Sequence, residues 1–272
     1  QGTDIGIDVS GNVLFCGYTR SPDGIATAGA HQVNIGGEQD AFLAKFTNDG
    51  NLLWATYYGG LISDDAYGIT TDGGKNIFMA GTTSSDNNIA TPGAHQEMNS
   101  GSRNAFLVKF DESGQRLWGT YYGGEYSDYG YLTRTDQAGN VFMSGSASSE
   151  NGIATPDGFQ TILKGSVDAF FAQFNNDGVL KWATYYGGDS GGEWGWGIAF
   201  DNAGNVFFSG NTKSDAGIST PGSHQPVYAG GYDPFIVKFQ YDMEGPTAIP
   251  FSSLALFLGI LLIAGFMIYR RW

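Results

Sequence analysis

Residues 40–60 read DAFLAKFTNDGNLLWATYYGG, and the pattern returns at 104–124 as NAFLVKFDESGQRLWGTYYGG and at 168–188 as DAFFAQFNNDGVLKWATYYGG. A shortened fourth copy, DPFIVKF, occupies 233–239. Trp54, Trp118 and Trp182 therefore stand 64 residues apart. A fixed period of that size means one supersecondary unit repeated, with neighbouring units supplying each other's burial.

A second block repeats in phase with the first: GIDVSGNVLFCGYT, GITTDGGKNIFMAGTT, LTRTDQAGNVFMSGSA and GIAFDNAGNVFFSGNT. Between the two lies a polar third block, IATAGAHQ, IATPGAHQ, IATPDGFQ and ISTPGSHQ. The units run over about 1–60, 61–124, 125–188 and 189–240, and they fill the globular part of the chain.

Each unit contains four strand candidates. In the second they are A at about 66–71, B at 76–83, C at 104–110 and D at 116–122. Alternation supports this reading, since Phe42, Ala44 and Phe46 share one face of DAFLAKF and Leu43 and Lys45 the other. Short turns rich in Asn, Asp and Gly join A to B and C to D, which makes both pairs hairpins. Asp8, Asp72, Asp136 and Asp201 open the A–B turns and read as Asx-turn residues. The chain has 43 glycines, 15% aromatic and 15% charged residues, an all-β profile. Four-stranded antiparallel units repeated radially give a β-propeller, one of the few ways many short strands avoid exposed edges. An open β-solenoid competes, but its rungs are shorter and parallel. Strand A, the least bulky, is expected nearest the axis.

Taken together, AYGITTDGGKNIFMAGTTSS, TPGAHQ, NAFLVKF and LWATYYGG resemble the SBBP repeat, a β-propeller repeat of bacterial exported proteins. The resemblance covers residues 1 to about 240 and implies a fold and a surface location. The fourth unit stops after strand C, so fifteen of sixteen strands are expected here. A WATYYGG-like strand upstream of Gln1 would complete the last blade, whose edge is otherwise expected to be unpaired.

Residues 241–248, YDMEGPTA, read as a linker. After them, 249–272 carry about twenty apolar residues ended by Arg270 and Arg271. At ~1.5 Å per residue this spans the roughly 30 Å hydrocarbon core of a bilayer. The Arg pair fits a cytoplasmic C-terminus, with the propeller outside the cytoplasm. Pro250, the apolar span and the Arg pair also resemble the C-terminal sorting signals of bacterial surface proteins, which a transpeptidase removes.

A net charge of −14 with no basic stripe excludes nucleic acid as a partner. Cys16 is the single cysteine, so no internal disulfide forms, and its counterparts Ala80, Ser144 and Ser209 mark it as a small buried filler. Trp54, Trp118 and Trp182 read as wedges between blades, and His31, His95 and His224, replaced by Phe159 in the third unit, as packing residues. Asp64, Asp128 and Glu193 recur once per unit after YYGG. Aimed at the axis, they would offer oxygen ligands to Ca²⁺; otherwise each caps its own turn. Trp194 and Trp196 flank Glu193 opposite Tyr129 and Tyr131, and this aromatic and acidic cluster is the candidate ligand site on the rim with the long loops. The expected function is a non-catalytic, membrane-tethered surface scaffold for a glycan or a protein, with no cofactor required. The alternatives are a carbohydrate-active enzyme using Glu193 with Asp128 or Asp64, and a spacer for an upstream domain.

Overall fold

The computed structural model describes residues 1–242 and 245–249. They form four antiparallel four-stranded sheets, each contiguous in sequence. Blade one holds β1 (Gly2–Ile7), β2 (Val13–Thr19), β3 (Asp40–Phe46) and β4 (Leu52–Tyr58); blade two holds β5 (Asp64–Thr71), β6 (Ile77–Thr83), β7 (Asn104–Phe110) and β8 (Arg116–Tyr122). Blade three holds β9 (Asp128–Thr135), β10 (Val141–Ala147), β11 (Asp168–Phe174) and β12 (Leu180–Tyr186). Blade four holds β13 (Glu193–Phe200), β14 (Val206–Thr212), β15 (Asp233–Asp242) and β16 (Gly245–Ile249). The propeller-like, all-β reading holds, and the repeat period is the blade.

The hairpins close as their sequences dictate. Asp8 accepts hydrogen bonds from the Ser10 and Asn12 amides and from the Asn12 side chain, each at 2.9 Å, and Asp136 and Asp201 repeat the pattern. Lys45 pairs with Asp8 at 2.8 Å, both nearly buried. Against the cost of that burial, Lys45 and Asn12 hold the Asp8 carboxyl down at about 2.

The first strand of each blade is innermost. Thr3 donates to the Ala66 carbonyl at 2.8 Å, and Thr135 to that of Thr71 at 2.5 Å. Arg134 of blade three crosses blade two to reach Asp4 of blade one at 3.4 Å. Every inner strand bulges at one equivalent residue, Thr3, Tyr67, Tyr131 or Trp196, which the register skips. Gly17, Gly81, Gly145 and Gly210 face the bulges from the second strand. A Cβ there would lie 1.9–2.1 Å from the carbonyl oxygens of Gln1, Asp65, Tyr129 and Trp194, so only glycine admits the bulged backbone.

Three core clusters hold the blades together, joining one to two, two to three and three to four; among the described residues none joins four to one. The paired tyrosines of the outer strands work in both directions. Tyr121 donates to Ser85 O of its own blade at 2.9 Å, while Tyr122 reaches Ile153 O of the next at 2.6 Å. Tyr57 and Tyr58, and Tyr185 and Tyr186, repeat this, so buried hydroxyls are satisfied while their rings fill the core. Trp54 donates to Glu112 O of the next blade's turn at 3.0 Å, and Trp118 to Asn176 O at 3.1 Å. Gly114 in that turn has φ +83°, and its open α-carbon lies against the Trp54 ring. Trp182, only 2% exposed, turns instead to Asp157 O within its own blade at 3.1 Å. Cys16 is buried in the first interface as a small filler, its thiol pushed up to about 12 by burial.

Two expectations are corrected. The fourth blade is not missing its outer strand, and the edge expected to be unpaired is covered. Residues 245–248, expected in a linker, and Ile249, expected to open the membrane span, form β16 and pair with β15, which itself extends to Asp242. The TPGAHQ-type blocks run back along the outer strands, where Thr91 N donates to Gly119 O at 2.9 Å and Tyr121 N to Gln96 O at 3.1 Å, covering the sheet edge. The expected membrane helix, with Pro250, Arg270 and Arg271, lies outside the described residues; among those described, no helix is long and apolar enough to cross a membrane.

Candidate functional site

In blades two, three and four the bulge aims one large aromatic side chain at its neighbour across the inner strands, while blade one has Thr3 at this position. Tyr67 and Tyr131 meet edge to face with ring centres 6.1 Å apart, and Tyr131 stacks on Trp196 at 4.4 Å with ring planes 20° apart. Tyr18 extends the row at the blade-one end, 6.1 Å from Tyr67, and Tyr129 lies 6.3 Å from Tyr131. Trp196 is 48% exposed. The Tyr131 hydroxyl shares a 2.8 Å hydrogen bond with Ser146 Oγ, which fixes the ring under Trp196.

Cations border the row. The Arg103 guanidinium stands over the Tyr129 ring at 5.8 Å. Lys213 stands over Tyr232 at 4.2 Å and Trp194 at 5.7 Å, with Trp194 and Tyr232 themselves 5.6 Å apart. Asp65 accepts a hydrogen bond from Gln39, which in turn accepts one from Arg20 at 2.9 Å. The surface is thus a strip of aromatic faces and edges with Arg, Lys and amide groups along its rim, suited to noncovalent contact.

The expected cluster is therefore half assembled. Tyr129, Tyr131 and Trp196 come together, Trp194 joins Tyr232 and Lys213, and the acids stay out. Asp64, Asp128 and Glu193 are all 0% exposed and each belongs to its own turn. Asp64 accepts from Gly60 N at 2.7 Å, Ser85 Oγ at 2.9 Å and Thr83 Oγ1. Asp128 accepts from Gly124 N at 2.8 Å and Ser149 Oγ at 2.7 Å, and Glu193 from Gly188 N at 3.1 Å and from Thr212 and Ser214 hydroxyls at 2.6 Å. Burial pushes Asp64 up to about 6 and raises Asp128 as well. The three do not form the Ca²⁺ mouth raised as a possibility: among the described residues no three His, Cys, Asp or Glu side chains stand where they could hold a metal ion.

The histidines also pack. His31 lies 6.3 Å from Tyr58 and 6.0 Å from Phe110 of the next blade; His95 repeats this with Tyr122 and Phe174, and Phe159 with Tyr186 and Phe239. Burial pushes His31 down to about 4. His224, expected to pack likewise, is exposed. The glutamine ending each block is the working residue there: Gln32 takes Gly59 N at 3.0 Å and donates to Asp40 at 2.6 Å, and Gln160 repeats this with Gly187 and Asp168. Tyr67, Tyr18, Arg103, Lys213 and Tyr232 were missed from the sequence. Tyr67 was discoverable, because it occupies the repeat position of Tyr131 and Trp196.

No protein-family model matches the chain. Over 127 residues, 42% of this chain, it is 29% identical to the uncharacterized WD repeat-containing protein L264 of Acanthamoeba polyphaga mimivirus, and that match spans 9% of the viral protein. WD repeats are four-stranded propeller blades. The likeness and the sheet topology agree on the class: a β-propeller-like repeat protein.

Proposed function

We propose that this chain is a non-catalytic interaction scaffold whose axial aromatic row, Tyr67, Tyr131 and Trp196 with Arg103 and Lys213 at its border, takes up a segment of a partner protein. The observation that carries this reading is the half-exposed Trp196 held face to face on Tyr131. Trp, Tyr and Arg are the side chains that dominate protein-binding energies, and a preformed stack loses little freedom on binding. The propeller is membrane-tethered through 249–272 and faces away from the cytoplasm; the apolar span ended by Arg270 and Arg271 supports this. Kinship with SBBP-repeat proteins belongs to the same reading and rests on the spaced motifs.

A displayed random-peptide library and a glycan array, each probed with the wild type and with Trp196→Ala, test it. Peptides enriched by the wild type and weakened about tenfold or more by the substitution, with unchanged thermal unfolding, support the proposal. Trp196-dependent glycan binding without peptide binding would replace the protein partner by a carbohydrate.

A further inference from the structure

Lys109, on β7, ends in a site that two blades build together. In blade one the equivalent Lys45 pairs directly with Asp8 at 2.8 Å. In blade two the side chain of Asn176, from the β11–β12 turn of blade three, stands between Lys109 and Asp72 and is hydrogen-bonded to both. Lys109 Nζ donates to Asn176 Oδ1, and Asn176 Nδ2 donates to Asp72 Oδ2 at 3.1 Å. Nδ2 also donates to Gly139 O at 3.2 Å, while the Asn176 carbonyl accepts from Lys109 Nζ at 3.2 Å and from Trp118 Nε1 at 3.1 Å. With its nitrogen on two acceptors and its oxygen on a donor, the amide is held in one orientation. Nζ therefore stands beside the oxygen bonded to the amide carbon Cγ.

The surroundings suit a neutral amine. Lys109 is only 7% exposed, and its Nζ lies 5.6 Å from the centre of the buried Phe78 ring. Burial brings the Lys109 ammonium below the usual lysine range, against the pull of Asp72 and Asp177. A lysine desolvated in apolar surroundings is a nucleophile, and here the fold holds it permanently against one amide. The other interfaces lack the pair. Glu112 takes the Asn176 position in blade two, with its carboxylate turned out to Lys75 at 2.8 Å, and blade three has Gln173 in place of the lysine.

We propose that Lys109 and Asn176 join in an intramolecular isopeptide bond that staples blade two to blade three. The neutral Nζ attacks Asn176 Cγ; the Nζ–Cγ bond forms, the Cγ–Nδ2 bond breaks, and Nδ2 leaves as ammonia. The hydrogen that Nζ gives up is the one that the leaving nitrogen takes, relayed by the Asp72 carboxylate, which ends as it began. Nothing is oxidised or reduced, and no other reactant enters. The bond spans 67 residues of chain, so it removes freedom from the unfolded state as a disulfide would. The inference is independent of the axial row and of its partner.

Intact-mass and tryptic-peptide mass spectrometry of the folded full chain tests it, with Lys109→Gln, Asn176→Ser and Asp72→Asn as variants. The wild type is expected to be lighter than its sequence by one ammonia, about 17 Da, and to yield a branched peptide joining Lys109 to Asn176. The branched peptide is the deciding readout, because cyclisation of a terminal glutamine also releases ammonia. Lys109→Gln and Asn176→Ser are expected to abolish it, and Asp72→Asn to slow its formation about tenfold or more, with circular dichroism reporting that each variant is folded. The wild-type measurement decides the link by itself, whatever the variants do. A folded wild type in which the Lys109 and Asn176 peptides stay separate overturns the proposal. So does a branched peptide that forms as fast in folded Asp72→Asn as in the wild type.

Discussion

Asp168 is the residue at which the repeat and its chemistry disagree. It is 0% exposed, its Oδ1 has no hydrogen-bond partner, and burial together with nearby Glu193 pushes it up to about 7. At the same repeat position Asn104 donates its amide to Gly124 O at 3.3 Å, a bond a carboxylate lacks the hydrogen to make. A folded-state value above the unfolded ~3.9 means the folded chain holds this proton more tightly. That contribution is complete below pH ~4 and is lost as pH rises through about 7. Asp168→Asn is expected to remove this slope and to stabilise the protein at pH 8 by about 1–3 kcal/mol, read from urea unfolding at pH 5 and pH 8. The tryptophans differ for a similarly local reason. Trp182, nearly fully buried, should cost ~3–5 kcal/mol when cut to Ala, and the partly exposed Trp54 clearly less, in the same unfolding assay.

At the scale of the element, the inner-strand bulge decides where Tyr67, Tyr131 and Trp196 point. Gly145→Ala would set a methyl 1.9 Å from Tyr129 O and against the Phe170 ring, so the strand must shift. The expected cost is about 1–3 kcal/mol together with loss of the near-ultraviolet circular dichroism of the Tyr131–Trp196 stack. The bulge was not legible, because a strand's period gives faces but not skipped residues. β16 was not legible either, for a different reason. GPTAI has no apolar alternation, and its Pro246 is tolerated because an edge strand leaves one side unpaired; the identity of β16 as a strand comes from its partner β15. By contrast, β7 and β8 were readable to the residue, since alternation, Asx turns and aromatic content agree there.

Across the whole molecule the repeat period was readable because the blades share their tyrosine and turn contacts, whereas the sequence left open whether Asp64, Asp128 and Glu193 reach the axis or cap their own turns, and the structure has them capping, because burial belongs to the assembled turn and not to residue type. Stability in such a row is a sum of blades and interfaces. Blades two and three are covered on both sides, so their β6, β7, β10 and β11 amides are expected to exchange slowest in hydrogen–deuterium exchange, and β1 and β16 fastest. Uniform protection across all four blades would contradict this. The turn that carries Glu112 or Asn176 seats on the tryptophan of the blade before it, so the second 64-residue unit brings along both a plug for the unit before it and a socket for the unit after it. In genetic terms, unequal crossing-over in steps of one whole repeat adds or removes a blade without any compensating substitution. An exchange even a few codons out of phase would sever a plug from its socket, so lineages carrying this repeat should differ in blade number far more readily than in repeat length.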